Sequence, residues 1–291
     1  MQIYDKKIEI KNTDKVLFPK TNITKGDLID YFDKISKYML PHIKNRPLTM
    51  HRFPNGIEDI DFYEKQIPSH FPSWFNRIDV KNKSKGYTIY PLCDDKLSLV
   101  YLANQACISH HIWLTTKNSL ECPDKMIFDL DPPKKGNFSI VIKAAKSLKK
   151  VLEEKSLVPY VMTTGSSGLH IVVPIKQEKS FDEIREIAKD ISQEVVNKDE
   201  DLYTIEQRKE KRENKIFIDY LRNAYGQTSI APYSIRSKEH APVATPLDWN
   251  ELDGDLTPTK YNIKNIFRRL GQKEDPWKDM YHNKRTIKKM G

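Results

Sequence analysis

Two carboxylates set two positions apart, Asp129 and Asp131 in the run Met126-Ile127-Phe128-Asp129-Leu130-Asp131-Pro132-Pro133, are where residue type and spacing first suggest chemistry. In an extended strand alternate side chains share a face, so both acids leave one side while Met126, Phe128 and Leu130 point into a core. Neighbouring carboxylates repel each other unless a cation lies between them. Hard oxygen donors of this kind suit Mg²⁺ or Mn²⁺. Pro132-Pro133 ends the strand directly afterwards. An Asp-x-Asp pair is also common at solvated strand ends, so residues elsewhere in the chain must decide.

Three further features point the same way. Thr164-Gly165-Ser166-Ser167-Gly168-Leu169-His170 leads into an apolar strand. Its small residues let backbone N–H groups and hydroxyls crowd around an anion, and His170 adds a donor. Asp219 interrupts Lys215–Asn223, a run that otherwise reads as a buried strand, and a charge there needs a partner. Arg222 and Arg236 supply cations. Three acids can hold two divalent ions for an in-line phosphoryl displacement. Arginines and a Gly/Ser-His turn can then hold the outer phosphates of a triphosphate. Metal-dependent nucleases use similar acids but have little need of a triphosphate cradle. Phe62, Tyr63 and Lys65 form either a stacking platform for bases beside a phosphate contact or a set of aromatics pinning a loop to the core.

These residues need elements to position them. Thr24 with Asp27 opens a helix whose stripe is Leu28, Phe32, Ile35 and Met39, and Pro41 is expected to close it. Arg46 to Phe53 and Gly86 to Leu92 read as strands, and Leu97 to His111 as a helix ending in His110-His111. Helical periodicity runs from Ser139 to Lys155, a strand follows at Tyr160 to Thr163, and Ser180-x-x-Glu183 caps another helix. Glu206 to Lys215 reads as a solvated mixed-charge run. A last basic helix is expected over Lys260 to Gln272. No internal repeat appears, so one two-lobed unit is expected, with lobes at about 1–125 and 126–291.

The chain has 291 residues, 49 basic and 40 acidic, for a net charge of +9. That balance favours a polyanionic partner, although a lysine-rich proteome would give the same excess. Cys93, Cys107 and Cys122 are too few and too widely spaced for a disulfide framework or a cysteine-rich zinc site. They read as reduced, mostly buried thiols in a cytosolic protein. The mixed charges of the first residues are not those of a signal peptide, and no run suggests a membrane span.

Taken in order, Phe128-Asp129-Leu130-Asp131-Pro132, Thr163 to His170 and Phe217-Ile218-Asp219-Tyr220-Leu221-Arg222-Asn223 resemble the polymerase domain of ligase D. That family belongs to the archaeo-eukaryotic primase superfamily and serves prokaryotic non-homologous end joining. Further matching stretches are Asp14 to Pro19, Arg52 to Gly56, Asn104 to Cys107 with His111 and Trp113, Ala231 to Arg236, Ala241 to Leu247, and Asp275-Pro276-Trp277. The resemblance implies an α/β fold (mixed α+β sheets) of the primase type, an RRM-like catalytic sheet packed against a second sheet and flanked by helices. It implies Asp129, Asp131 and Asp219 as catalytic, metal-binding acids for two Mn²⁺ or Mg²⁺ ions, with NTP or dNTP as substrate. It places His111, Thr164, Ser166, His170, Arg222 and Arg236 around the nucleotide. Lys15, Arg52, Phe62, Tyr63 and Lys65 would meet DNA, Lys15 at a downstream 5′-phosphate. The implied activity is template-directed gap filling at broken DNA with a ribonucleotide preference and some terminal transfer. The implied partners are gapped DNA, Ku and a DNA ligase. Two departures stand out: Ser167 where the family often has Lys or Arg, and Ser109-His110 before His111. A primer-making primase, a metal-dependent nuclease and a non-catalytic end-binding module are the alternatives. Whether the chain stands alone or is part of a longer ligase is left open.

Overall fold

The computed structural model describes residues 2–3, 6–82, 84–133 and 136–287, with side chains from residue 8 onward. The chain divides into two compact units, each assembled from separated stretches. The first comprises Met1–Asn118, Thr228–Ala244 and Asn262–Phe267; the second comprises Ser119–Gln227, Thr245–Tyr261 and Arg268–Gly291.

In the first unit, the Lys25–Ile43 helix starts where its capping box predicts. The Thr24 hydroxyl accepts from the Asp27 N–H, and the Asp27 carboxylate accepts from the Thr24 N–H. Leu28, Phe32, Ile35 and Met39 are all fully buried along its inner face. Pro41 does not close this helix, which runs on to Ile43. Proline lacks one N–H, but the backbone after it still bonds backwards, as Lys44 N–H does to the Leu40 carbonyl. A four-stranded antiparallel sheet carries the strands in the order Thr228–Ile230, Cys107–Trp113, Leu48–Arg52, Phe62–Glu64. The expected helix over 97–111 is two elements, a Lys96–Asn104 helix and the Cys107–Trp113 strand. Ala106 between them adopts a left-handed φ of 55°. That reverses the chain and frees the β-branched and aromatic residues beyond it to pair with Leu48–Arg52. His110 and His111 therefore lie on opposite faces of a strand. His110 is fully buried at 4.7 Å from the Phe32 ring.

The second unit is built on a six-stranded sheet in the order Tyr203–Thr204, Ile216–Asp219, Lys125–Asp131, Leu169–Pro174, Tyr160–Thr163, Pro246–Leu247. Numbered by position in the chain, its four inner strands run fourth, first, third, second. With the Phe138–Glu154 and Phe181–Lys198 helices as crossovers, this is a split βαβ arrangement of the RRM-like kind. Met126, Phe128 and Leu130 enter a core with Ala144, Leu148, Ile171, Ile187 and Ile191. The strand expected over 215–223 stops at Asp219, where the Asp219 carboxylate accepts from the Leu221 N–H (2.8 Å) and a single 3-10 turn, Leu221–Asn223, follows. Trp277 is buried and donates from Nε1 to the Val161 carbonyl (3.1 Å).

The last expected helix shortens to Ile266–Gln272. Cys93, Cys107 and Cys122 are free thiols. Among the described residues no helix is long and apolar enough to cross a membrane.

Candidate active site

The Lys125–Asp131 strand sits between two antiparallel neighbours whose register fixes the site. Asp129 stands opposite His170 on one side and opposite Asp219 on the other. Residues directly opposed in a ladder project from the same face. Asp129, His170 and Asp219 thus form one row across three strands, and Asp131 follows one step further along that face. The 3-10 turn after Asp219 brings in Arg222, whose Nε lies 2.7 Å from Asp129 Oδ2 and 3.9 Å from Asp219 Oδ2. His170 Nε2 lies 3.4 Å from Asp129 Oδ1. Both Asp129 oxygens therefore face cationic or donor groups.

The electrostatics divide the three acids. Burial works against an Asp129 carboxylate, but the His170 and Arg222 charges and hydrogen bonds outweigh it and hold its pKa well below the ordinary range. Among the described residues Asp131 has no such direct partner. Burial, then repulsion from Asp129 and Asp219, pushes it up to about 6 against the pull of Arg222. Asp219 is also raised, chiefly by burial. Burial works to lower the Arg222 pKa, yet the surrounding carboxylates raise it, so the guanidinium is fixed as a cation. The face carries more negative charge than Arg222 balances.

The anion-binding turn is held from inside. The Thr164 hydroxyl donates to the Gly168 carbonyl (3.1 Å) and accepts from the Ser166 and Gly168 N–H groups (both 3.3 Å). Thr164 thereby shapes the turn, and Ser166 and Ser167 are its outward residues. Gly165 takes a φ of 66° that favours glycine. A Cβ at Gly168 would collide with the Leu130 carbonyl, so only glycine lets the turn lie this close to the acid-bearing strand.

Residues 24–277 match the family model described as LigD, primase-polymerase domain. The chain belongs to that family. It is 32% identical over 278 residues to the bifunctional non-homologous end joining protein LigD of Bacillus subtilis, covering 95% of this chain and 44% of that protein. It is 34% identical over 278 residues to the multifunctional LigD of Mycolicibacterium smegmatis, covering 94% and 36%. It thus spans less than half the length of these relatives. Its structure is similar to the polymerase domain of Mycobacterium tuberculosis ligase D in complex with DNA, with a TM-score of 0.88, 30% identity, and coverage of 96% of this chain and 99% of that one.

The remaining residues singled out in this LigD primase-polymerase domain lie in its first unit. His111 stands opposite Thr49 and Ile230 in the four-stranded sheet. Near it is a ring cluster that sequence reading missed. His51 stacks on Tyr63 at 3.7 Å and 20°, with Tyr63 5.7 Å from His111. Asp61 meets His51 Nε2 at 2.5 Å. Burial lowers the His51 pKa, and this prevails over the opposing effect of Asp61. Only the alternation His51/Phe53 against Asp61/Tyr63 could have signalled the pairing. Phe62 and Tyr63 are 47% and 61% exposed, open enough for stacking. Lys65 lines a cleft of about 710 Å³ with Tyr63, Gln66 and Arg77. Arg52 is committed inside the protein, with Nη1 on Glu64 (2.7 Å) and Nε donating to the Gln105 carbonyl (2.9 Å). It holds the aromatic strand in place. Lys15 donates to Asn55 Oδ1 (2.7 Å), and its charge, after burial, lowers the pKa of Lys25. Arg236 lies in the same unit, and its charge acts on His51.

Proposed function

We propose that this chain is a template-directed nucleotidyltransferase that fills short gaps at broken DNA ends during non-homologous end joining, with a preference for ribonucleotides. The observation that carries the reading is the row Asp129–Asp219–His170 with Asp131 beside it on one sheet face. Membership of the LigD primase-polymerase family and the DNA-bound structural relative support it.

Divalent Mn²⁺ or Mg²⁺ fits the donor set. Asp129, Asp131 and Asp219 are hard oxygen donors on one face, and burial, then repulsion between neighbouring acids, raises the pKa values of Asp131 and Asp219, a cost that a bound cation would offset. Among the described residues no three acidic, histidine or cysteine side chains converge as a ready ligand shell. When bound, such ions lower the pKa of a primer 3′-hydroxyl and neutralise a departing pyrophosphate. Asp129, Asp131 and Asp219 would hold such ions, and Arg222 and His170 place positive and donor groups beside Asp129. Ser166, His111 and Arg236 are assigned to the nucleotide, and Thr164 to shaping the turn. Lys15 is assigned to the 5′-phosphate of gapped DNA, and Phe62, Tyr63 and Lys65 to the template strand, with Arg52 supporting them. Ku and a DNA ligase are the proposed partners.

Primer extension on gapped DNA, dinucleotide synthesis on an unprimed template, and nuclease assays on one preparation test this. Gap filling with Mn²⁺ or Mg²⁺, lost in Asp129→Asn, is expected. Dinucleotide synthesis without extension would make the chain a primase, and strand cleavage alone would make it a nuclease.

A further inference from the structure

A cavity of about 640 Å³ opens beside Asp131. Three chain segments meet around it at one end of the six-stranded sheet: Asp131 with Pro132 and Pro133, the turn at Ser167, and the run from Lys209 to Phe217. That run reads in sequence as a solvated mixture of charges, and the fold sorts it. Arg212 is immobilised as a wall. Its Nε and Nη2 donate to the Glu206 and Gln207 carbonyls (both 3.0 Å), and its guanidinium lies 3.7 Å from the centre of the Phe217 ring. Phe217 is itself the register partner of Asp131, so this wall is fixed to the acid-bearing strand.

Lys209 and Lys215 line the same cavity and are held far less tightly. Lys209 is exposed. Among the described residues the Lys215 ammonium pairs with Glu213, at 3.3 Å, whose side chain is 74% exposed. A pair that open to water contributes little, so Lys215 can exchange it for a better anion. Three cations face two acids, Asp131 and Glu210, and any divalent cation on Asp131 would tip the balance further toward anions. The hollow is concave and within the roughly 300–1,000 Å³ usual for small-molecule sites. A duplex backbone would instead call for an open stripe of basic residues.

We propose that Lys209 and Lys215, with the outward Ser167, receive the terminal phosphates of the nucleoside triphosphate. This rests on the nucleotidyl-transfer reading above and adds to it a phosphate subsite at the far side of Asp131. Lysines act here as mobile point charges that can follow a polyphosphate as it leaves, which the pinned Arg212 cannot do.

Equilibrium binding of ATP, AMP and gapped duplex DNA to the wild-type chain and to Lys209→Ala/Lys215→Ala tests the proposal. The ATP Kd is expected to rise about tenfold in the double variant, while AMP and gapped-DNA affinities stay within about twofold. Adding Ser167→Lys, which returns a cation to the same wall, should recover most of the loss. Lys209→Arg/Lys215→Arg should keep the preference for ATP over AMP and controls for folding, alongside a melting curve. An unchanged ATP Kd, an equal loss for AMP, or a loss confined to DNA would each overturn the subsite. Wild-type primer extension separates the two ideas. If it extends and the ATP preference does not move, only the subsite falls; if it neither extends nor binds ATP, the nucleotidyl-transfer reading falls first.

Discussion

Asp129 and Asp131 differ by two positions in sequence and by their partners in space. Asp129 is held ionised by Arg222 and His170, whereas Asp131 is pushed up to about 6 by burial and its acidic neighbours. The folded chain therefore binds more protons at Asp131 than the unfolded chain does between the ordinary value of 3.8 and about 6. Stability falls as pH rises through that window and stays reduced above it. Asp131→Asn should accordingly raise the melting temperature at pH 7.5 in chelator, by the equivalent of about 1–3 kcal/mol, and leave it unchanged near pH 3. Mn²⁺ should raise the melting temperature of the wild type more than that of the variant. Arg222→Ala should act in the opposite sense. It leaves the buried Asp129 carboxylate short of its closest cation and should cost about 2–4 kcal/mol in chemical denaturation, with Arg222→Lys recovering only part because one ammonium cannot reproduce the fork. At this scale the sequence was informative where spacing alone decides the face, as for Asp129 and Asp131. It could not show that Thr164 spends its hydroxyl inside the turn or that Arg52 spends its guanidinium on Glu64, because those depend on which chain segments come to lie beside them.

Among the elements, the short Ile216–Asp219 strand pairs with the central strand only from Asp129 to Asp131. The ladder is continued by a side chain. Asn223, fully buried, accepts from the Ile127 N–H through Oδ1 (2.8 Å) and donates from Nδ2 to the Ile127 carbonyl (2.7 Å). Its amide does the work of a strand residue two positions before Asp129. Asn223→Ala should strand two backbone groups in the core and destabilise by about 2–4 kcal/mol, read as a lower denaturation midpoint with unchanged slope. Asn223→Asp would be nearly as costly, because it lacks the donor. The capping boxes at Thr24 and Ser180 made the helix starts legible, since those signals are local. The Lys96–Asn104 helix was overextended because Leu99, Leu102, Ala103 and Ala106 keep a helical period up to the residue at which the backbone reverses. The expected strand takes in Asn223, which lies instead in the 3-10 turn, because an asparagine that imitates a backbone has no local signature.

For the molecule as a whole, the three acids assigned to chemistry, Asp129, Asp131 and Asp219, and Lys15, assigned to the downstream end of a gap, belong to different units. Variants in the two sets should therefore separate cleanly. Asp129→Asn should abolish extension while gapped-DNA affinity stays within about threefold. Lys15→Ala should remove most of the advantage of a 5′-phosphate over a 5′-hydroxyl, about tenfold in affinity, with little effect on a simple primer-template. Equal binding of both gaps by the wild type would count against the end-joining role. The motifs made the family legible over nearly the whole length because they are long and ordered, but the interleaving of the units was not. A division near residue 125 follows the first crossing of the chain and misses its returns, since no composition change marks them. The strand Thr228–Ile230 completes one edge of a sheet whose neighbour, Cys107–Trp113, precedes it by more than a hundred residues. During synthesis at about 5–20 residues per second, that neighbour would wait on the order of ten seconds with unpaired backbone along one side. An open strand edge is a template for pairing with other nascent chains. Yield in a cell should thus depend on the speed of translation between those two strands, a demand on the ribosome and its chaperones rather than on the finished enzyme.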